Sequence, residues 1–245
     1  MRKGLALFAF FLYDEEEGHT KGASELKQAN PPSVSLKDTI YQSVVEMICS
    51  GQLTPNMIFT EQQLISHFQV SKSPVREALI QLCGEGVLRS IPRHGYQVVE
   101  ISRQNVQDLT QLRMYLELGN LPQAMEHLTP ERLLELKRQN DERRQPSNAK
   151  HIWDSWNRNS LFHMTLIEYG ENAQVARVMK QVLATCTRAY AQSFTAKKSL
   201  IAPSEDNQHD LIVRALELHD IYAAHEHLRR DILLMGESLY PDSEN

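Results

Sequence analysis

Beyond Ser35 the apolar residues fall into a helical rhythm. Leu36, Ile40, Val44, Val45 and Ile48 recur at spacings near three and four with Ser35 at the cap, which predicts an amphipathic helix ending near Gly51. Leu53-Thr54-Pro55-Asn56 reads as a turn. Thr60, with Gln63 three residues on, forms a capping box for a short helix through Leu64, Ile65 and Phe68. A third helix opens at Ser71 or Ser73. Its Pro74 stands in the first turn, where a missing N–H costs no bond, and Val75, Ala78, Leu79 and Leu82 share one face. After Gly84 and Gly86 the period shortens, and Val87 to Ile91 and Tyr96 to Glu100 read as two strands about a Pro92-Arg93-His94-Gly95 tip.

Helix, helix, tight turn, helix, hairpin is the order of a winged helix-turn-helix. From Ser102 to Leu239 the pattern is helical with no convincing strand. Ser102 caps a helix bearing Val106, Leu109, Leu112, Leu116 and Leu121, and Thr129-Pro130-Glu131 caps the next. Ala149 to Tyr169, Asn172 to Phe194, and a closing pair from Glu205 to Leu218 and Ile221 to Leu239 complete a bundle of six or seven helices. The expected fold is therefore mainly α, with a winged helix-turn-helix over residues 36–100 and an all-helical domain over 101–245. Residues 1–35 read as a poorly ordered extension. Their apolar run Gly4 to Tyr13 has the length of a signal-peptide core, but it ends in Asp14-Glu15-Glu16-Glu17 without a small-residue cleavage site and is too short to span a membrane.

Composition narrows the function classes. The 245 residues carry 26 Lys and Arg against 31 Asp and Glu, so any contact with nucleic acid must be local. Cys49, Cys83 and Cys186 are odd in number and lack CxxC spacing, which argues against a disulfide framework or a cysteine zinc site and fits a reducing cytoplasm. Within 36–100 there are five cations and six acids, yet Lys72, Arg76, Arg89 and Arg93 all fall in the third helix and the hairpin. In a helix-turn-helix that third helix presents its first turns to base edges. Ser71, Ser73 and the free N–H groups beside them suit a phosphate, and the Arg76 fork suits guanine. Lys72 stands at the entry, and Arg93 and His94, beside Gly95, would lie along the adjacent backbone or minor groove.

Leu53-Thr54-Pro55-Asn56, Val70 to Leu79 and Gly95 resemble the motifs of GntR-type bacterial regulators, whose third helix reads Val-Ser-Arg-Thr-Pro-Val-Arg-Glu-Ala-Leu. The helical remainder is similar to the ligand-sensing domain of the FadR subgroup, with Leu112-Arg113, Leu116-Glu117, Phe162-His163 and the closing pair. This resemblance implies a homodimer on a palindromic double-stranded DNA operator, with Gln62, Ser71, Lys72 and Arg76 at contacting positions. Asn56, Lys72 and Gln62 depart from the usual glycine, arginine and basic residue, and Lys for Arg weakens bidentate base reading.

The resemblance further implies a metal held by one Asp and three His. Those positions fall here on Asn159, His163, His209 and Asp231, so two of the four match. Asn159 and His163, at i and i+4, share a helix face, and His209 with Asp231 would complete a two-His, one-carboxylate set for a divalent ion such as zinc, manganese or nickel. The alternative is a metal-free pocket in which the histidines are hydrogen-bonded. His227, one turn from Asp231, is a substitute ligand, whereas His219 and His225 read as solvated. Arg113 is placed to pair with a small organic acid effector or, internally, with Glu117. Trp153, Trp156 and Phe162 read as packing residues and Arg138 to Arg144 as a solvated helix end. The expected protein is a metabolite-responsive regulator and not an enzyme. The rival readings are a metal-dependent hydrolase built on His163, His209 and Asp231, and a winged helix used for protein contacts alone; no nucleophile elbow or phosphate-binding glycine loop accompanies the first.

Overall fold

The computed structural model describes residues 35–144, 152–197 and 208–239, so the expected extension before Ser35 lies outside the described residues. These fall into two compact units that divide between Glu100 and Ile101. In the first, helices α1 (Leu36–Cys49), α2 (Glu61–Phe68) and α3 (Lys72–Gly84) accompany strands β1 (Ile58–Phe59), β2 (Leu88–Ile91) and β3 (Gly95–Val98). The second holds α4 (Arg103–Glu126), α5 (Pro130–Arg144), α6 (Ile152–Tyr169), α7 (Ala173–Lys197), α8 (Gln208–Glu217) and α9 (Ile221–Leu239). The mainly helical expectation holds, with six helices described in the second unit and no strand among its described residues.

Local chemistry explains the winged unit. Ser35 caps α1 by accepting from the Asp38 N–H, and both halves of the Thr60–Gln63 capping box form at α2. Gln69, in the left-handed region at φ 53°, ends α2 abruptly and leaves the tight turn before α3. The apolar faces of α1 and α3 pack together, burying Ile40, Val44, Ile48, Val75, Leu79 and Leu82. Each such side chain contributes about 1.5–3 kcal/mol on removal from water.

The hairpin has a third member that the hydrophobic pattern does not reveal. β1, only two residues long, pairs antiparallel with β3 through Ile58–Gln97 and Phe59–Tyr96, giving the order β1-β3-β2. Two residues are too few for any alternation to register. β1 also fixes the glycine beyond the wing tip: Gly95 has φ +119°, and a Cβ there would lie 2.3 Å from the Phe59 carbonyl oxygen.

The helical unit buries polar groups on one face of its first helix. Ser102 and Asn105 form a capping box for α4, which continues for 24 residues through Pro122, a residue on its exposed side. Its buried residues include Arg113, Glu117 and Asn120 as well as Val106, Leu121 and Ala124. α4 packs on α6, α7 and α9; α5 packs on α6 and α8; and α8 and α9 form a hairpin. Phe162, Leu136, Ile212, Leu216, Leu228 and Ile232 belong to one apolar cluster. A second gathers Trp156, whose indole donates to Thr187 at 2.8 Å and whose ring stacks on Tyr190 at 4.6 Å. Trp156 and Phe162 are packing residues, as expected; the side chain of Trp153 lies outside the described residues.

Gly95→Ala is expected to destabilise the winged unit by about 2 kcal/mol or more, through backbone clash and strain. Gly84→Ala, where a Cβ meets nothing within 4 Å, should leave stability unchanged or raise it by about 0.5–1 kcal/mol. Urea unfolding of the two variants beside the parent checks both signs.

Candidate nucleic-acid interface and buried centre

Every side chain expected to meet DNA is on the surface. Gln62 of α2, Ser71, Lys72, Ser73 and Arg76 at the head of α3, and Arg93 and His94 at the wing tip are exposed, and Gly95 is partly so. Lys72 and Arg76, at i and i+4, are exposed in the first turns of α3, while Val75, Ala78, Leu79 and Leu82 of the same helix are buried. Ser71 occupies the N-cap position with extended backbone but makes no side-chain cap bond, so the first N–H groups of α3 face outward unclaimed by it. That is the condition in which a helix terminus accepts a phosphate.

Some of the cations have partners within the unit. The Lys72 ammonium lies 3.4 Å from a Glu61 carboxylate oxygen at the surface, a pair of about 0–1 kcal/mol that a phosphate can displace. Arg89 donates through Nε to Gln97 at 2.6 Å, across β2 and β3. Ser73 donates to Glu77 at 2.9 Å, holding that carboxylate along the helix. Arg93 sits at φ 66°, a left-handed tip that turns the wing. Gly95 is explained by its closeness to Phe59, without any appeal to DNA.

In the helical unit four helices bring ionisable groups to one buried point. Arg113 and Glu117 come from α4, His163 from α6, His209 from α8 and Asp231 from α9. The Arg113 Nε donates to Glu117 Oε1 at 2.7 Å, and Glu117 Oε2 lies 2.6 Å from His163 Nδ1. On the far side of the ring His163 Nε2 lies 3.0 Å from Asp231 Oδ2, and His209 Nε2 lies 3.4 Å from Asp231 Oδ1. Phe162 stacks on the His209 ring at 4.0 Å and 17°, which sets the plane of that imidazole.

The arrangement fits a metal ion. One ligand atom from each of His163, His209 and Asp231 lies within 4.8 Å of the others. An ion about 2.0–2.2 Å from each donor leaves neighbouring donors about 3 Å apart at right angles and about 3.5 Å apart in a tetrahedron. The 3.0 Å from His163 Nε2 to Asp231 Oδ2 and the 3.4 Å from His209 Nε2 to Asp231 Oδ1 are of that size, each histidine facing a different oxygen of the carboxylate. His163 Nε2 and Asp231 Oδ2 are both buried, and their 3.0 Å separation suits either a direct ion pair or two donors that share an ion. Asn159, one turn before His163, is buried, and its Nδ2 has no hydrogen-bond partner. His227 is turned elsewhere, with Nδ1 3.1 Å from the Gln208 side-chain oxygen, and His219 and His225 are exposed as expected.

Electrostatics bind the group together. Burial disfavours a charge on His163, but Glu117 and the contact with Asp231 outweigh it, and the pKa rises. Burial raises Asp231, yet His209 and His163 bring it well below the usual carboxylate range. Glu117 is likewise lowered, because Arg113 and His163 overcome its burial. Nearby Cys186 is pushed up to about 11 by burial, so it remains a thiol at neutral pH. Of the two partners considered for Arg113 the structure has Glu117 in place, while Nη2 is buried without a hydrogen bond. The sequence points to Glu117 through the Leu116-Glu117 motif and as a partner for Arg113, and its second contact, with His163 46 residues away, carries no local signal.

The linkage has a definite sign. His163 is raised by folding, so in metal-free protein its contribution is present below about pH 6.5 and is lost as pH climbs through the folded value. A bound ion must displace the Nε2 proton, so it stabilises more as pH rises. Urea midpoints between pH 6 and 9 should therefore fall for chelated protein and rise for zinc-loaded protein.

Comparison with known proteins agrees with both units. Residues 36–98 match the family described as bacterial regulatory proteins, gntR family, and residues 108–233 match the FCD domain. The HTH-type transcriptional repressor RspR of Escherichia coli K12 is 24% identical over 85% of this chain and 90% of its own. The uncharacterized HTH-type transcriptional regulator YdhC of Bacillus subtilis is 26% identical over 58% of this chain, a match spanning 64% of that relative. Among solved structures, E. coli McbR/YncC shares the fold with a TM-score of 0.67 at 21% identity, covering 83% of this chain and 98% of that one. A winged unit of one family followed by a helical unit of the other leaves a plain conclusion: the chain belongs to the GntR family of bacterial regulatory proteins and carries an FCD domain.

Proposed function

We propose that the protein is a metabolite-responsive, sequence-specific transcription regulator of the FadR subgroup, acting as a homodimer on a palindromic operator. One observation carries the reading. A winged unit with an exposed, cationic recognition helix shares a chain with a helical unit whose buried polar cluster has donors to spare. Arg76 would read guanine, Lys72 and the first N–H groups of α3 would hold phosphates, and Gln62, Arg93 and His94 would flank them.

In the helical unit His163, His209 and Asp231 would hold a divalent metal, with Asn159 at hand for a further position. When bound, such an ion supplies a Lewis acid for an oxygen of the effector. Arg113 Nη2, Asn159 Nδ2 and Ser160 Oγ are buried groups able to donate and lack hydrogen-bond partners, which supports an effector rich in acceptors. Charge points the same way. Arg113 and a divalent ion set against Glu117 and Asp231, with neutral histidines, leave a positive excess suited to a small organic acid. For the effector to change operator binding it must favour one dimer arrangement over another, since only differential affinity moves the equilibrium.

Fluorescence anisotropy on a selected operator tests the first unit. Arg76→Ala should weaken binding by about 1–3 kcal/mol and relax specificity, while Lys72→Ala should weaken all sequences alike and reduce the salt slope by about one. Unchanged binding in Arg76→Ala overturns the DNA assignment. For the second unit, metal analysis of purified protein is expected to find a stoichiometric divalent ion that the His163→Ala, His209→Ala double variant lacks, together with loss of the effector response. A double variant that responds fully to effector removes the pocket from this site.

A further inference from the structure

We infer that Glu117 is the positioning residue of the buried centre, holding His163 and Arg113 at once through its two oxygens. The inference rests on the reading of His163, His209 and Asp231 as a metal site, and adds a residue that touches neither ion nor effector. Glu117 Oε1 receives the Arg113 Nε at 2.7 Å, and Oε2 lies 2.6 Å from His163 Nδ1. Its side chain is 1% exposed, so water cannot stand in for either contact.

The chemistry follows from what a carboxylate can do. An ionised carboxylate only accepts, so at 2.6 Å the Nδ1 atom must carry the hydrogen. A neutral ring then has its lone pair on Nε2, the atom that faces Asp231 at 3.0 Å. Without Glu117 the ring can take the opposite tautomer, donate Nε2–H to Asp231, and lose the lone pair that an ion needs. Arg113 completes the device. Lying one helical turn away and 3% exposed in its side chain, it keeps Glu117 ionised in an apolar interior, and is in turn aimed so that Nη2 stays unbonded. Carboxylate support of this kind sets the orientation and basicity of a metal-bound histidine.

The test is a competition titration of chelated full-length protein with zinc against a chromophoric chelator, for wild type, Glu117→Gln, Glu117→Asp and His163→Ala, with folding followed by circular dichroism. Long-range proton–nitrogen spectra of the histidines report the His163 tautomer. Glu117→Gln, which keeps the shape but not the charge, is expected to lose about 10–100-fold in zinc affinity and to lose the Nδ1–H pattern. Glu117→Asp is expected to keep that pattern with part of the affinity, and it serves as the comparison should the glutamine variant not fold. Zinc affinity within twofold of wild type in Glu117→Gln overturns the inference, as does a fall in affinity with the Nδ1–H tautomer retained. If His163→Ala also binds as wild type, the metal reading fails. The tautomer in chelated protein at alkaline pH then still decides whether Glu117 sets His163.

Discussion

The helical unit is organised around a carboxylate buried between an arginine and an imidazole. Taking Glu117 out of water costs several kcal/mol unless its charge is met, and Arg113 and His163 meet it from opposite oxygens. The same requirement then passes to His163, whose far nitrogen faces Asp231, and to Asp231, which faces His209. Four helices must converge for all of these charges to be met together. The apolar cluster of Phe162, Ile212, Leu228 and Ile232 supplies the driving force for that convergence, while the charges dictate where it happens.

Function in such a centre comes from incomplete satisfaction. Fully paired, a buried polar network only specifies a fold. Here Arg113 Nη2, Asn159 Nδ2 and Ser160 Oγ remain without hydrogen bonds, and such a concentration of unmet groups is costly unless something fills it. The proposed ion and anionic effector would be what fills it. The aromatic ring of Phe162, stacked on His209, limits how far the site can relax.

The winged unit uses a different economy, in which backbone geometry matters more than charge. Its sheet is closed by a two-residue strand, and the approach of Phe59 to Gly95 fixes how the hairpin leaves its tip. The cations at the surface are held loosely, by pairs such as Lys72 with Glu61 that solvent weakens. A recognition surface benefits from that looseness, since such contacts can be exchanged for phosphate at little cost.

Much of this was legible in the residues themselves because it is local. The capping box at Thr60, the helix start at Ser102, Pro74 in a first turn and the four-residue apolar face of α3 each lie within a few positions, and each formed as read. β1 escaped notice since two residues carry no period, and residues 145–151, where the start of the third bundle helix had been placed, lie outside the described residues. The candidate ligands could be named from their spacing to the family motifs, but not their convergence. His163, His209 and Asp231 are separated by 46 and 22 residues, and only packing of α6, α8 and α9 brings their donor atoms within 4.8 Å. Sequence by itself determined the helices, the caps and the exposed cations of α3, because these follow from neighbours along the chain. Tertiary structure alone decided that Glu117 joins Arg113 to His163, because a buried charge finds its partner through space.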